Sequence, residues 1–137
     1  MATIDTDNFK LKMVIDSCDF AEAMRGNPYN TAATLEVFSY GFYGSTELEL
    51  SYIAFENFVS KLKEMHKTLK GKAELVELGY GSKLHIECDN KGYFQFSGVL
   101  VDSRFQQFTF GASIDQTYVQ GFVAQLTAEA KNCRFKQ

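Results

Sequence analysis

The chain has 137 residues, 45% hydrophobic and 23% charged, with a formal net charge of -3. Such a composition excludes a disordered chain, and the 14 Lys and Arg are too scattered for the basic patch that grips a phosphate backbone. The length suits a single domain spanning residues 1–137, and 13 Phe and 7 Tyr without any Trp favour a sheet-rich fold.

In chain order, Phe9, Leu11, Met13 and Ile15 alternate with Lys10, Lys12 and Val14, the period-2 pattern of a strand with one buried face. Residues 16–32 break the pattern. DFAEAM is sufficient for one short helical turn, and Gly26, Asn27 and Pro28 mark a surface loop, the longest irregular stretch and a candidate functional loop. Thr34–Phe42 and Ser45–Tyr52 read as two strands joined by a hairpin near Gly41 and Gly44. IAFENFVSKLKEMHKTLKG then places Phe55, Phe58, Val59, Leu62, Met65 and Leu69 on one helical face, with Gly71 suited to the C-terminal cap.

From Ala73 the chain returns to strands: AELVELG, KLHIECD, GYFQFSGVLVD and RFQQFTFGASI, separated by breaks short enough for an antiparallel meander. A last helix follows Asp115, whose carboxylate is placed to cap it. Tyr118, Val119, Phe122, Val123 and Leu126 are its expected apolar face, and Gly121 implies close approach of a neighbour. No internal sequence repeat is evident. The predicted architecture is α+β: a single curved, mostly antiparallel sheet of about seven strands with two helices packed on one face.

No apolar run approaches the length of a membrane span, and MATIDTDNFKLK lacks the basic-then-apolar order of a signal peptide, so the expected location is cytoplasmic. Cys18, Cys88 and Cys133 have no zinc-like spacing and are expected to be reduced, mostly buried thiols. No cofactor or metal is expected. Neither is an enzyme: nothing resembles a nucleophile elbow, HExxH or Walker A motif, and GYGS at 79–82 is better read as a turn than a phosphate loop. His66 is expected at the edge of the helical apolar face. His85 beside Glu87 is a pairing that serves acid–base chemistry only if a nucleophile stands opposite.

The most informative chemical feature is a distribution of charge. Glu47, Glu49, Glu77, Glu87 and Asp89, with His85 among them, fall on strands or strand ends, mostly on the side assigned to water. They form the candidate partner-binding set, an acidic surface that would steer a basic protein partner more than it adds affinity. The loop from Ser17 to Ala32 is the second candidate surface. The alternative is a small-molecule-binding or homo-oligomeric module with an aromatic-lined pocket, drawing on Tyr40, Phe42, Tyr43, Tyr80 and Tyr93 at strand ends. A homodimer is left open; nucleic acid and membrane are not expected partners.

STELELSYIAFENFVSKLKEM, NKGYFQFSGVLVD and FTFGASIDQTYVQGFVAQL, taken together, resemble the WapI-type immunity family of small bacterial proteins. The features that carry the resemblance are the helix around Phe55, Phe58 and Leu62, the strand opened by Gly92, and the Asp115–Gln116–Thr117 step into the last helix. The resemblance implies a cytoplasmic, non-catalytic protein that neutralises a cognate bacterial toxin by stoichiometric binding. It transfers no catalytic or contact residues.

Overall fold

Alternating apolar residues fold the first third of the chain into a four-stranded antiparallel meander: β1 (Ala2–Asp5), β2 (Phe9–Cys18), β3 (Thr31–Ser39) and β4 (Phe42–Leu50). A short helix, α1 (Phe20–Met24), interrupts the β2–β3 connection. After a 17-residue helix, α2 (Tyr52–Thr68), a second meander follows: β5 (Lys72–Val76), β6 (Lys83–Cys88), β7 (Tyr93–Val101) and β8 (Gln107–Asp115). A 3-10 turn over Gln116–Tyr118 leads into α3 (Gln120–Phe135). The computed structural model describes residues 1–135.

Two sheets therefore replace the single seven-stranded sheet expected from the sequence. Hairpin signals pair only consecutive strands, and α2 stands between β4 and β5, so no ladder joins the two meanders. Four strands and a long helix occur twice in the chain, an internal repetition that the sequence does not show.

Four residues, Ala2–Asp5, form a strand that the sequence reading omitted; Ala2 and Ile4 are buried and the register with β2 is continuous. Helix α2 begins at an N-cap, Ser51, whose hydroxyl accepts from the Ala54 N–H, and it ends at Leu69 in the left-handed region (φ 57°). In α3, Val119 in the entry turn and Phe122, Val123 and Leu126 are buried, but Tyr118 is exposed. Asp115 caps the 3-10 turn rather than the helix, accepting from the Thr117 N–H at 2.9 Å. No atom lies within 4 Å of where a Cβ on Gly121 would stand, so close approach does not explain that glycine. Close approach occurs instead at two glycines where none was expected: a Cβ on Gly44 in β4 would come within 2.4 Å of the Phe108 ring, and one on Gly98 in β7 within 2.2 Å of the Lys83 carbonyl oxygen.

One core joins both sheets and both long helices. Phe9 of β2 lies 5.8 Å from Phe96 of β7, and Phe96 lies 6.3 Å from Phe122 of α3, ring centre to ring centre. A smaller cluster gathers Ala23, Tyr52 and Cys133. There the Tyr52 hydroxyl lies 2.9 Å from both a Glu56 carboxylate oxygen and the Ala130 carbonyl oxygen, two acceptors for its one proton, and burial with the Glu56 carboxylate pushes its phenol up to about 12. Cys18 and Cys133 are joined as a disulfide, with 5.7 Å between their Cα atoms, contrary to the expectation of three free thiols. Partners 115 residues apart in sequence leave no local signal. Cys88 is the free cysteine, its thiol pushed up by burial and then by Asp89 and Glu87.

Candidate functional site

The end of β2 carries a register shift between Ile15 and Ser17, beyond which Ser17 and Cys18 still pair with Ala32 and Thr31 before the chain turns into α1. Asp19 caps α1 by accepting from the Glu22 N–H at 3.0 Å, a position for which a short carboxylate is well suited. The return limb is pinned by Asn30, buried against the sheet: its side-chain oxygen accepts from the Tyr52 N–H at 2.8 Å and the Thr31 hydroxyl at 2.9 Å. Between this loop and the end of β4 lies a cleft of about 610 Å³.

Asp19 and Glu22 line one side of that cleft and Glu49 the other, with exposed Tyr29 at its rim. Strand register sets Glu49 opposite Ala32 and Glu47 opposite Thr34, whose hydroxyl donates to Asp16 at 2.7 Å. Charge is unevenly balanced across this face of the first sheet. Lys10 pairs with Asp5, Lys12 pairs with Glu36, and Arg25 pairs with Glu22. Among the described residues, no cation pairs with Asp16, Asp19, Glu47 or Glu49. The two surfaces that the sequence suggested separately, the Glu47/Glu49 strand and the Ser17–Ala32 loop, thus meet at one acidic cleft.

His85 and Glu87 belong to a different place, the outer face of the second sheet. Nδ1 of His85 lies 3.3 Å from Glu74 and Nε2 lies 3.2 Å from Glu87. Ser97 stands opposite His85 in the β6–β7 register. Both ring nitrogens are taken by carboxylates, and neither is directed at that hydroxyl.

Glu77 and Asp89 shape turns. Glu77 is 4% exposed, which corrects its assignment to the wet face. Its Oε2 accepts from the N–H groups of Glu49 (3.1 Å) and Gly79 (2.7 Å); its Oε1 accepts from Tyr80 (2.5 Å) and Gly81 (2.9 Å). One side chain thereby organises the β5–β6 turn and ties it to β4. Asp89 accepts from the N–H groups of Lys91 and Tyr93 and from the Gln95 amide, and the Lys91 contact foremost holds its carboxyl below the usual range.

The aromatic residues of the alternative reading are dispersed. Tyr40, Phe42 and Tyr43 flank the β3–β4 turn, while Tyr80 and Tyr93 occupy opposite ends of the second meander. Tyr40 itself takes the left-handed conformation (φ 59°) where a glycine was expected to turn the chain. Tyr43 donates to Glu36 at 2.7 Å, and Tyr80 meets Phe105 edge-on at 5.7 Å.

No family model and no curated protein matches the chain. Among solved structures it is similar to the crystal structure of WHY1 from Arabidopsis thaliana, with a TM-score of 0.59 and 8% identity over 98% of this chain and 90% of that one. That likeness establishes a shared fold. Among the described residues, no helix is long and apolar enough to cross a membrane.

Proposed function

We propose that the protein is a non-catalytic binding protein that docks a basic surface of another protein at the acidic cleft. On this reading it acts as the WapI resemblance implies, as a cytoplasmic immunity protein that covers a cognate toxin domain. The observation that carries the reading is the convergence of Asp19, Glu22 and Glu49 around one cleft, with Glu47 and Asp16 beside it; of these, Glu22 is paired with Arg25, and among the described residues Asp16, Asp19, Glu47 and Glu49 have no cation. Carboxylates left without cations pull a basic partner into encounter and reject an acidic one. Tyr29 adds an exposed ring against which an arginine can stack.

The test is co-expression with each protein encoded by the genes flanking this one, reading cell growth and the mass of any complex. A one-to-one complex that restores growth supports the proposal; unprotected growth, or no complex, removes it. Glu47→Lys combined with Glu49→Lys is expected to leave the circular dichroism unchanged and to weaken the complex by about tenfold or more, chiefly in association rate. An unchanged affinity in that variant would move the interface away from the cleft.

A further inference from the structure

The two sheets have four outer edges, and three of them are guarded. At β1 the Thr3 N–H donates to Gln125 of α3 at 2.8 Å. Beside β4 lies the β5–β6 turn, where the Leu78 N–H donates to the Glu49 carbonyl at 2.8 Å and Glu77 accepts from the Glu49 N–H. Strand β5 is only 5 residues long and presents Lys72 and Glu74 outward. Short length and charge are the ordinary devices by which an edge resists pairing.

The fourth edge, β8, has none of these. It is 9 residues long, its register with β7 runs unbroken from Gln107 to Asp115, and QFTFGASI holds no charge and no proline. Among the described residues, the backbone from Gln107 to Ile114 makes no hydrogen bond outside the sheet ladder. Phe108 and Ala112, on the inner side of this strand, are only half-buried.

We propose that β8 is a self-pairing edge: two copies of the chain join β8 to β8 antiparallel about a two-fold axis at Gly111, fusing their second sheets. The occupant is a second copy because the strand is complementary to its own reverse. With Gly111 facing its symmetry mate, Thr109 faces Ser113 and Gln107 faces Asp115 on the wet side. On the core side Phe110 faces Ala112 and Phe108 faces Ile114, each a large ring against a smaller side chain. No like charges meet, which is the condition for stable cross-strand pairs. A two-fold contact of this kind is closed, so it yields a dimer and not a fibre. A one-residue slip would set the core face of one copy against the wet face of the other across the fused sheet, so only registers of this parity let the two sheets continue face to face. This inference is independent of the acidic cleft.

The experiment is analytical ultracentrifugation of the full chain over a range of concentrations. The expected result is a concentration-dependent doubling of the 15.5 kDa mass. Thr109→Lys with Ser113→Lys sets like charges opposite one another twice and should weaken the dimer about tenfold or more. Thr109→Lys with Ser113→Glu sets opposite charges in the same places and should restore it. Circular dichroism of both variants checks that the fold is retained. A protein that stays monomeric at all concentrations overturns the proposal, and so does a dimer that both variants leave alike.

Discussion

Replacing Glu77 by glutamine removes one oxygen and changes almost nothing in size. Each carboxylate oxygen accepts two backbone N–H groups, so the amide nitrogen must sit where two donors already point, whichever way it is turned. Two hydrogen bonds to a charged acceptor are lost, each worth about 1.5–3 kcal/mol, and two donors are left facing a third. Part of that loss is relieved if water enters as the turn opens, so the expected destabilisation is about 3 kcal/mol. Against a total stability of about 5–15 kcal/mol this is large. Urea unfolding at pH 7 measures it, and Glu87→Gln, on the open face of the second sheet, is the control expected to stay within about 0.5 kcal/mol. A Glu77→Gln midpoint matching the control would refute the reasoning, because it would mean that the carboxylate is solvated and organises nothing. The same pair of variants separates two roles for this residue. A partner contact would lower affinity and leave the midpoint in place, whereas a turn organiser lowers the midpoint first.

Two further outcomes follow from named groups. Asp89 and Asp115 are held below the ordinary carboxylate range, foremost by the N–H groups of Lys91 and Thr117 respectively. A depressed folded-state value means that each carboxylate contributes stability above about pH 4 and loses it as pH falls through the folded value. The urea midpoint of Asp89→Ala should therefore lie below that of the parent at pH 7 and converge on it as pH falls through the folded-state value; a gap independent of pH would remove the turn contacts as its cause. The Cys18–Cys133 disulfide closes a separation of 115 residues. Reduction should cost about 4 kcal/mol and raise the thiols titrated in the unfolded chain from one, Cys88, to three. Three thiols before reduction would refute the pairing. Trapping thiols in growing cells decides the compartment too, since a disulfide that persists there weighs against the proposed cytoplasmic location.

What the sequence made legible follows from the range over which each signal acts. The face of α2 was readable because Phe55, Phe58, Leu62 and Met65 recur at helical spacing within one element, and all are buried. Glu77 was equally readable and was misassigned: it shares the parity of Ala73 and Leu75, both buried, so period 2 points its carboxylate inward. A buried carboxylate is costly unless it is hydrogen-bonded, and here four N–H donors offset that cost. By contrast, nothing local separates one sheet from two. Alternation reports which face of a strand is buried and is silent about what covers it, so Phe9 and Phe96 carry no sign that they meet across two sheets. The acidic cleft has the same origin. Glu49 reaches the loop of Asp19 only through the β3–β4 register and the way that loop folds back on Asn30. A run of carboxylates at Asp16, Asp19 and Glu22 was the one local hint. The bare edge of β8 lies between these cases. Its lack of charge was visible in QFTFGASI, but that it lies at an edge depends on which strand comes last in a sheet whose count was not readable.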